Sequence, residues 1–410
     1  MEYGLIGERL PHSFSKEIHE KIADYQYSLK ELNPDELECF ILEKNYKGLN
    51  VTIPYKQAVI PYLDELSDNA ASIGAVNTIV NRDGTLYGDN TDFGGMQALF
   101  EHASVSVRHQ KVLILGTGGT SRTARAVVER LGAALVLRVS RSDREGCITY
   151  DEMLARHTDA DVIVNTTPVG MYPGLFGCPV DLTRFPSLSG VIDAVYNPLS
   201  TPLVTRARAM DIPAEGGLYM LVAQAVLASA LFTGDRRDPV GLTNDIYEEL
   251  LFDKRNIVLI GMPSSGKSTV GQLVAERLGR PFVDTDSMIV ERYGEIAALF
   301  REKGEAYFRE CEHAVIEELA PKTGMVIATG GGAVIRKDNV EAMRLNGALY
   351  LLDRPLEHLI PTDDRPLANE KEKLIALYDR RMPLYMDAAD YIIDADAAPE
   401  QVAQAIIYGE

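Results

Sequence analysis

Short apolar, β-branched runs alternate with stretches of helical periodicity along the chain, the pattern of repeated βαβ units on parallel sheets. In the first half the runs are Tyr3–Ile6, Leu49–Thr52, Val112–Leu115, Ala134–Val139, Val162–Asn165 and Val191–Val195. The pattern restarts with Ile257–Ile260, Phe282–Asp284, Met325–Ala328, Leu349–Leu352 and Tyr391–Ile393. Between the halves, Thr233 to Thr243 is polar, holds Gly234, Pro239 and Gly241, and loses both periodicities, as a junction does. At 410 residues, against ~100–200 residues per core, the pattern predicts an α/β protein of several domains. Their expected extents are 1–102, 103–240, a linker over 241–254, and 255–410. A weaker break near Glu101 to Gln110 separates the first two.

Composition narrows the function classes. Hydrophobic residues at 46% and charged residues at 25% predict a folded, soluble protein. The excess of 60 Asp and Glu over 41 Lys and Arg, a net charge of -19, repels nucleic acid and anionic lipid. Any phosphate ligand must therefore be held by local devices, and the expected partners are small molecules. Cys39, Cys147, Cys178 and Cys311 are scattered without metal spacing, which predicts reduced thiols. With no leader pattern and no apolar run of ~20 residues, the expected location is the cytoplasm. The sequence leaves oligomeric state open.

The sharpest motif is Gly261-Met-Pro-Ser-Ser-Gly-Lys267-Ser268, which fits G-x-x-x-x-G-K-[ST] between an apolar strand and a helical stretch. Backbone N–H groups of such a loop curl around phosphates, and the helix N-terminus adds a favourable dipole. Pro263, Ser264, Ser265, Gly266, Lys267, Ser268 and Thr269 are the candidate ATP contacts, with Lys267 reaching the β/γ oxygens and Ser268 holding Mg²⁺. The competing reading, a turn that is Gly-rich by chance, does not account for the joint fit of motif and context.

Beyond this loop, residues 256–410 resemble shikimate kinases. The carriers are Asp284-Thr-Asp286, Phe308-Arg309, Gly330-Gly-Gly332, Arg365-Pro-Leu and Arg381-Met-Pro-Leu-Tyr385. The resemblance implies a P-loop, nucleoside-monophosphate-kinase-like domain with a parallel sheet. It places Asp284 near Mg²⁺, Asp286 on the attacking hydroxyl, Gly331 and Gly332 against the substrate, and Arg365 on the ATP phosphates from a lid. Arg309 and Arg381 form a carboxylate clamp, since a guanidinium matches a carboxylate bidentately. The stretch His358-Leu-Ile-Pro-Thr-Asp-Asp364 departs from the family pattern, being short and acidic where lids carry more basic residues.

A second nucleotide motif, Gly116-Thr-Gly118-Gly119-Thr120-Ser121, follows an apolar strand and opens a helical stretch. It is a partial match to the dinucleotide fingerprint G-x-G-x-x-G/A of a Rossmann-like domain. The next strand ends in Ser140-Arg141-Ser142, where an NAD enzyme places an acidic residue. An arginine there suits a 2′-phosphate and points to NADP(H), although a strand-end arginine is also ordinary surface charge.

From Tyr3 to about Phe232 the chain resembles shikimate dehydrogenases. The segments, in family order, are Pro11-His-Ser13-Phe-Ser15, Asn50-Val-Thr52-Ile-Pro-Tyr-Lys56, Gly74-Ala-Val-Asn77-Thr, Gly88-Asp-Asn-Thr-Asp92, Asn165-Thr-Thr-Pro-Val-Gly-Met171, Asp193-Ala-Val-Tyr196 and Gly216-Gly217-Leu-Tyr-Met220 with Gln224. The resemblance implies Lys56 and Asp92 as the catalytic pair reducing 3-dehydroshikimate. Ser13 and Ser15 bind the substrate carboxylate; Thr52, Asn77, Tyr196 and Gln224 bind the rest of the ring. Gly217 and Met220 lie on the nicotinamide, and the helical region 217–240 packs back on the first domain. Ser13, Ser15 and Asn77 also suit caps and turns. The implied product of the first half, shikimate, is the implied acceptor of the second. Two alternatives stay open: a non-catalytic half, the kinase with its short lid being the candidate, and a dehydrogenase that prefers quinate or NAD.

Overall fold

The computed structural model describes residues 1–10, 14–360 and 370–409. The chain divides into two compact units, Met1–Leu250 and Leu251–Glu410. The first unit holds two sheets. One comprises β1 (Tyr3–Gly7), β2 (Tyr27–Glu31), β3 (Gly48–Val51), β4 (Glu65–Leu66), β5 (Thr78–Arg82) and β6 (Thr85–Asp89), in the order β2-β1-β3-β5-β6-β4. β1 pairs in parallel with β2 and β3, whereas β5 is antiparallel to both β3 and β6. This sheet is therefore mixed, not parallel throughout. For β5 and β6 the reason is local: Asp83 and Gly84 both take left-handed φ, 51° and 93°, the two-residue Asp-Gly turn whose twist matches a hairpin.

The second sheet comprises β7 (Lys111–Leu115), β8 (Leu135–Ser140), β9 (Ile148–Thr149), β10 (Val162–Asn165), β11 (Gly190–Asp193) and β12 (Ala214–Glu215). Its order, β12-β11-β10-β7-β8-β9 with every pair parallel, is the doubly wound dinucleotide-binding arrangement. Its switch point falls between β7 and β10, where ligands bind beyond the carboxyl ends of the strands. Asn165 and Asp193 tie those ends together: the Asn165 amide donates to Asp193 Oδ1 at 3.0 Å, and Thr201 Oγ1 donates to Oδ2 at 2.7 Å.

In the second unit β13 (Asn256–Ile260), β14 (Phe282–Asp284), β15 (Val326–Ala328), β16 (Gly347–Asp353) and β17 (Tyr391–Asp394) form a parallel sheet ordered β14-β15-β13-β16-β17. Its strands are short, apolar and buried at the centre, as expected for a sheet covered on both faces.

The helix Leu218–Thr233 packs against the helices Thr91–His102 and Ser15–Ile22. Glycine sets the first approach. A Cβ at Gly95 would lie 2.8 Å from the Met220 carbonyl oxygen and 2.9 Å from Gln224 Cβ, and one at Gly94 would strike Leu227.

Residues 241–254 are not the linker that their Gly and Pro neighbours suggest. They form most of the helix Pro239–Lys254, started by the Asp238 carboxylate, which accepts from the backbone N–H of Val240 at 3.1 Å and Gly241 at 3.0 Å. Ile246, Tyr247 and Leu250 bury one face, and Tyr219 donates its hydroxyl to Asn244 at 2.7 Å. The apolar spacing of 246, 247 and 250 carries the helix past its breakers.

Two outcomes follow from these contacts. Gly95→Ala forces the two helices apart and costs about 1–3 kcal/mol, read as a lower melting temperature together with a loss of first-unit activity. Burial pushes the Asp193 carboxyl up to about 6, so the folded chain keeps a proton that the unfolded chain releases above pH ~4. Stability then falls as pH rises from about 4 to about 6, by on the order of 3 kcal/mol, and is level above. Melts across this window should show Asp193→Asn gaining on the wild type from pH ~4 to ~6, with a constant difference beyond.

Candidate active sites

In the first unit Lys56 sits on the turn that follows β3, and Asp92 in the first turn of the helix Thr91–His102. Lys56 Nζ meets Asp92 Oδ2 at 2.5 Å, with the two side chains 26% and 15% exposed. The pair is thus sheltered and still reachable by a ligand. Behind it runs a neutral hydrogen-bond network. Asn77 Nδ2 donates to Asp92 Oδ1 at 2.9 Å and to Thr91 Oγ1 at 3.1 Å, and Asn77 Oδ1 accepts from the Thr91 N–H at 2.8 Å. Thr78 Oγ1 donates to Asn77 Oδ1 at 3.0 Å and accepts from Asn50 Nδ2 at 3.2 Å, while Asn50 Oδ1 accepts from the Tyr27 hydroxyl at 2.7 Å. Tyr27 stacks on His19, ring centroids 3.9 Å apart, and burial lowers His19 to about 3.

Gln224 and Met220, both buried, lie on the helix that meets Gly95 closely, and Gln224 Nε2 donates to the Leu221 carbonyl of its own helix at 2.8 Å. The Phe14 and Tyr196 rings lie 5.5 Å apart, and Ser15 follows Phe14 as the buried first residue of its helix. Thr52 binds through its backbone N–H to Ile6 at 3.0 Å and leaves β3 toward Lys56. Ser13 lies outside the described residues.

The dinucleotide loop leaves β7 with Gly116 at φ 113°, where a Cβ would meet Thr166 Oγ1 at 2.7 Å. Gly118 caps the helix Gly119–Arg130, and a Cβ at Gly118 or Gly119 would meet nothing within 4 Å. That bare helix N-terminus, with Thr120 half-buried beside it, fits a pyrophosphate. Gly217 lies against the Ala194 carbonyl too closely for any side chain.

Ser121 departs from the expectation of a cofactor contact: fully buried, it donates its hydroxyl to the Gly116 carbonyl at 2.8 Å and braces the loop from within. Ser140 Oγ accepts from the Ser142 N–H at 3.3 Å, and Arg141 is exposed at the end of β8. Sequence reasoning missed Arg144, which donates to Thr117 Oγ1 of the glycine loop at 2.9 Å. Its signal was its place three residues past Arg141.

The second unit opens an 880 Å³ cavity lined by the P-loop together with Asp284, Asp286, Arg309, Glu312 and Arg381. Gly266 precedes the helix Lys267–Leu278 at φ 93°. Lys267 Nζ donates to the carbonyls of Gly261 at 2.9 Å and Met262 at 2.8 Å. Ser268 Oγ donates to Asp284 Oδ2 at 2.5 Å, while Asp284 Oδ1 caps the next helix through the Ser287 N–H at 3.1 Å. Two oxygen donors beside a phosphate loop suit Mg²⁺, which keeps most of its waters. Among the described residues no three His, Cys, Asp or Glu side chains gather as a metal cluster. Ser265 is buried, its hydroxyl turned beneath the loop, whereas Pro263, Ser264 and Thr269 line the cavity.

The anion end of this cavity is built on buried charge. Arg381 is only 3% exposed. It donates Nη1 to the Gly331 carbonyl at 2.8 Å, and its Nε and Nη2 have no hydrogen-bond partner among the described residues. Burial lowers its pKa. Arg309 is already engaged, with Glu312 at 2.8 Å and Glu305 at 3.0 Å. Glu312, one helical turn on and missed from sequence, is buried, and burial pushes its carboxyl up against the pull of Arg309. A side chain at Gly332 would strike the Arg309 guanidinium, and one at Gly330 would strike Asp286. These glycines hold the cavity open. Arg365 lies outside the described residues.

Comparison with known proteins agrees with this geometry. Residues 5–79 match the family model "Shikimate dehydrogenase substrate binding domain", and residues 263–408 match "Shikimate kinase". A shikimate dehydrogenase (NADP(+)) of Clostridium perfringens is 38% identical over 268 residues, covering 60% of this chain and 97% of that protein. The crystal structure of shikimate dehydrogenase 1 from Peptoclostridium difficile superposes with a TM-score of 0.56 at 34% identity, over 61% of this chain and 98% of its own. The Thermus thermophilus enzyme in complex with NADP(H) and shikimate gives a TM-score of 0.55 at 26% identity, over 61% and 99%. The chain therefore belongs to the shikimate dehydrogenase family and continues into a shikimate kinase domain.

Proposed function

We propose that the first unit reduces 3-dehydroshikimate to shikimate and the second phosphorylates shikimate to shikimate 3-phosphate. NADPH supplies the hydride and MgATP the phosphoryl group. The observation that carries the reading is the meeting of Lys56 and Asp92 at 2.5 Å beside the buried Asn77, whose amide donates to Asp92, in a chain that also folds a P-loop cavity containing Arg381.

Lys56 donates a proton to the substrate oxygen that gains charge at C3, and Asp92 keeps the ammonium aimed. Asn77 acts from behind, because its amide is given to Thr91 and Asp92. Thr52, Ser15, Tyr196 and Gln224 hold the ring and carboxylate. Arg141 and Arg144 are the cations available for a 2′-phosphate, which supports NADP(H) over NAD.

In the kinase Asp286 orients the attacking hydroxyl. Lys267 exchanges its loop carbonyls for phosphate oxygens. Arg381, with the donors it has to spare, takes the carboxylate; Arg309 supports it through Glu312. No helix among the described residues is long and apolar enough to cross a membrane. The acidic charge and four free cysteines support a cytoplasmic enzyme acting on small molecules, not on nucleic acid.

One assay tests both halves: purified chain with 3-dehydroshikimate, NADPH and MgATP, followed for NADPH loss and for shikimate 3-phosphate. Both signals are expected, and loss of either removes the activity of that unit. Lys56→Ala should lower the reductase rate by about 10²–10⁴-fold and leave phosphorylation of added shikimate unchanged. Arg381→Met should raise the kinase KM for shikimate by about 30-fold, equivalent to about 2 kcal/mol of charge-assisted hydrogen bonding, with the KM for ATP nearly constant.

A further inference from the structure

Four cationic side chains line the kinase cavity: Lys267, Arg309, Arg354 and Arg381. Three have defined partners. Lys267 is held by two loop carbonyls, Arg309 by Glu305 and Glu312, and Arg381 by the Gly331 carbonyl. Arg354 makes no hydrogen bond or ion pair among the described residues, and its Nε is buried.

Its place in the fold is fixed from two sides. β16 runs parallel to β13 with Leu351 level with Ile260, so Arg354, just past the end of β16, stands level with the opening residues of the phosphate loop. Leu352 touches that loop, since a Cβ on Gly261 would lie 2.9 Å from the Leu352 carbonyl oxygen. Six residues after Arg354 the chain returns to the same loop, where the Ile360 carbonyl accepts from Ser264 Oγ at 2.7 Å. The stretch carrying Arg354 is thus pinned at both ends to the backbone that would cradle phosphate.

Charge argues for the ligand. Glu312 and Asp286 lie among Arg309 and Arg381 at the carboxylate end, whereas Arg354 has no such acid paired with it. A guanidinium half-withdrawn from water, with donors to spare beside a phosphate loop, matches a polyphosphate. The stretch that follows brings no further Lys or Arg before Arg365.

Resting on the kinase reading, we propose that Arg354 binds the phosphate chain of the nucleotide, supplying from the end of β16 the positive charge that the short acidic stretch 358–364 lacks.

The test compares wild type, Arg354→Ala and Arg354→Lys for binding of the fluorescent nucleotides mant-ATP and mant-AMP, and for kinase KM and kcat. Arg354→Ala is expected to weaken mant-ATP at least tenfold and mant-AMP less than twofold, with the KM for shikimate within twofold of wild type and partial recovery in the lysine variant. Unchanged mant-ATP affinity overturns the proposal. So does an equal loss for both nucleotides, which would place Arg354 on the base, and so does a loss confined to shikimate. A wild-type chain that binds mant-ATP without turning over shikimate would defeat the kinase reading alone, and the binding comparison would still decide Arg354.

Discussion

The candidate site of the first unit is framed by the contact between the helices Thr91–His102 and Leu218–Thr233, which depends on the missing side chain at Gly95. One helix carries Asp92 in its first turn; the other carries Met220 and Gln224 at the crossing. The contact also joins the two sheets of the unit, because the helix Leu218–Thr233 leaves the dinucleotide-binding sheet at Gly217 and comes to rest on the mixed one. Backbone against backbone leaves little room for rotation. The geometry of the candidate site is in this sense a property of a crossing, and the side chains inherit it.

The second unit solves a different problem. A chain with a strong negative net charge gathers cations in its second-unit cavity, and it does so by withdrawing them from water. Arg381 keeps donors unspent, and Glu312 orders Arg309 beside it. An exposed lysine would be screened and mobile; a buried guanidinium is neither, at a cost in desolvation that shows in the lowered pKa of Arg381.

Much of this was legible in the sequence because motifs that bind phosphate constrain contiguous backbone. The P-loop, the glycine run after β7 and most central strands could be read directly. The hairpin of β5 and β6 was written in Asp83-Gly84, a two-residue turn signal between the two strands. The helix Pro239–Lys254 was hidden by Pro239 and Gly241, although a proline at the first position of a helix starts it without cost. Glu312 and Arg144 carried only a faint signal, each three residues past an arginine already singled out, whereas Arg354 was illegible because it matters only through a phosphate loop that the fold brings beside it. Ser121 shows the reverse case, a motif position whose side chain serves the loop and not the ligand.

The network beneath Lys56 and Asp92 consists of amides, hydroxyls and the Tyr27–His19 stack. Burial holds His19 neutral down to about pH 3 and raises Tyr27 well above its usual range. Between those limits the His19 and Tyr27 floor of the candidate site keeps a single charge state.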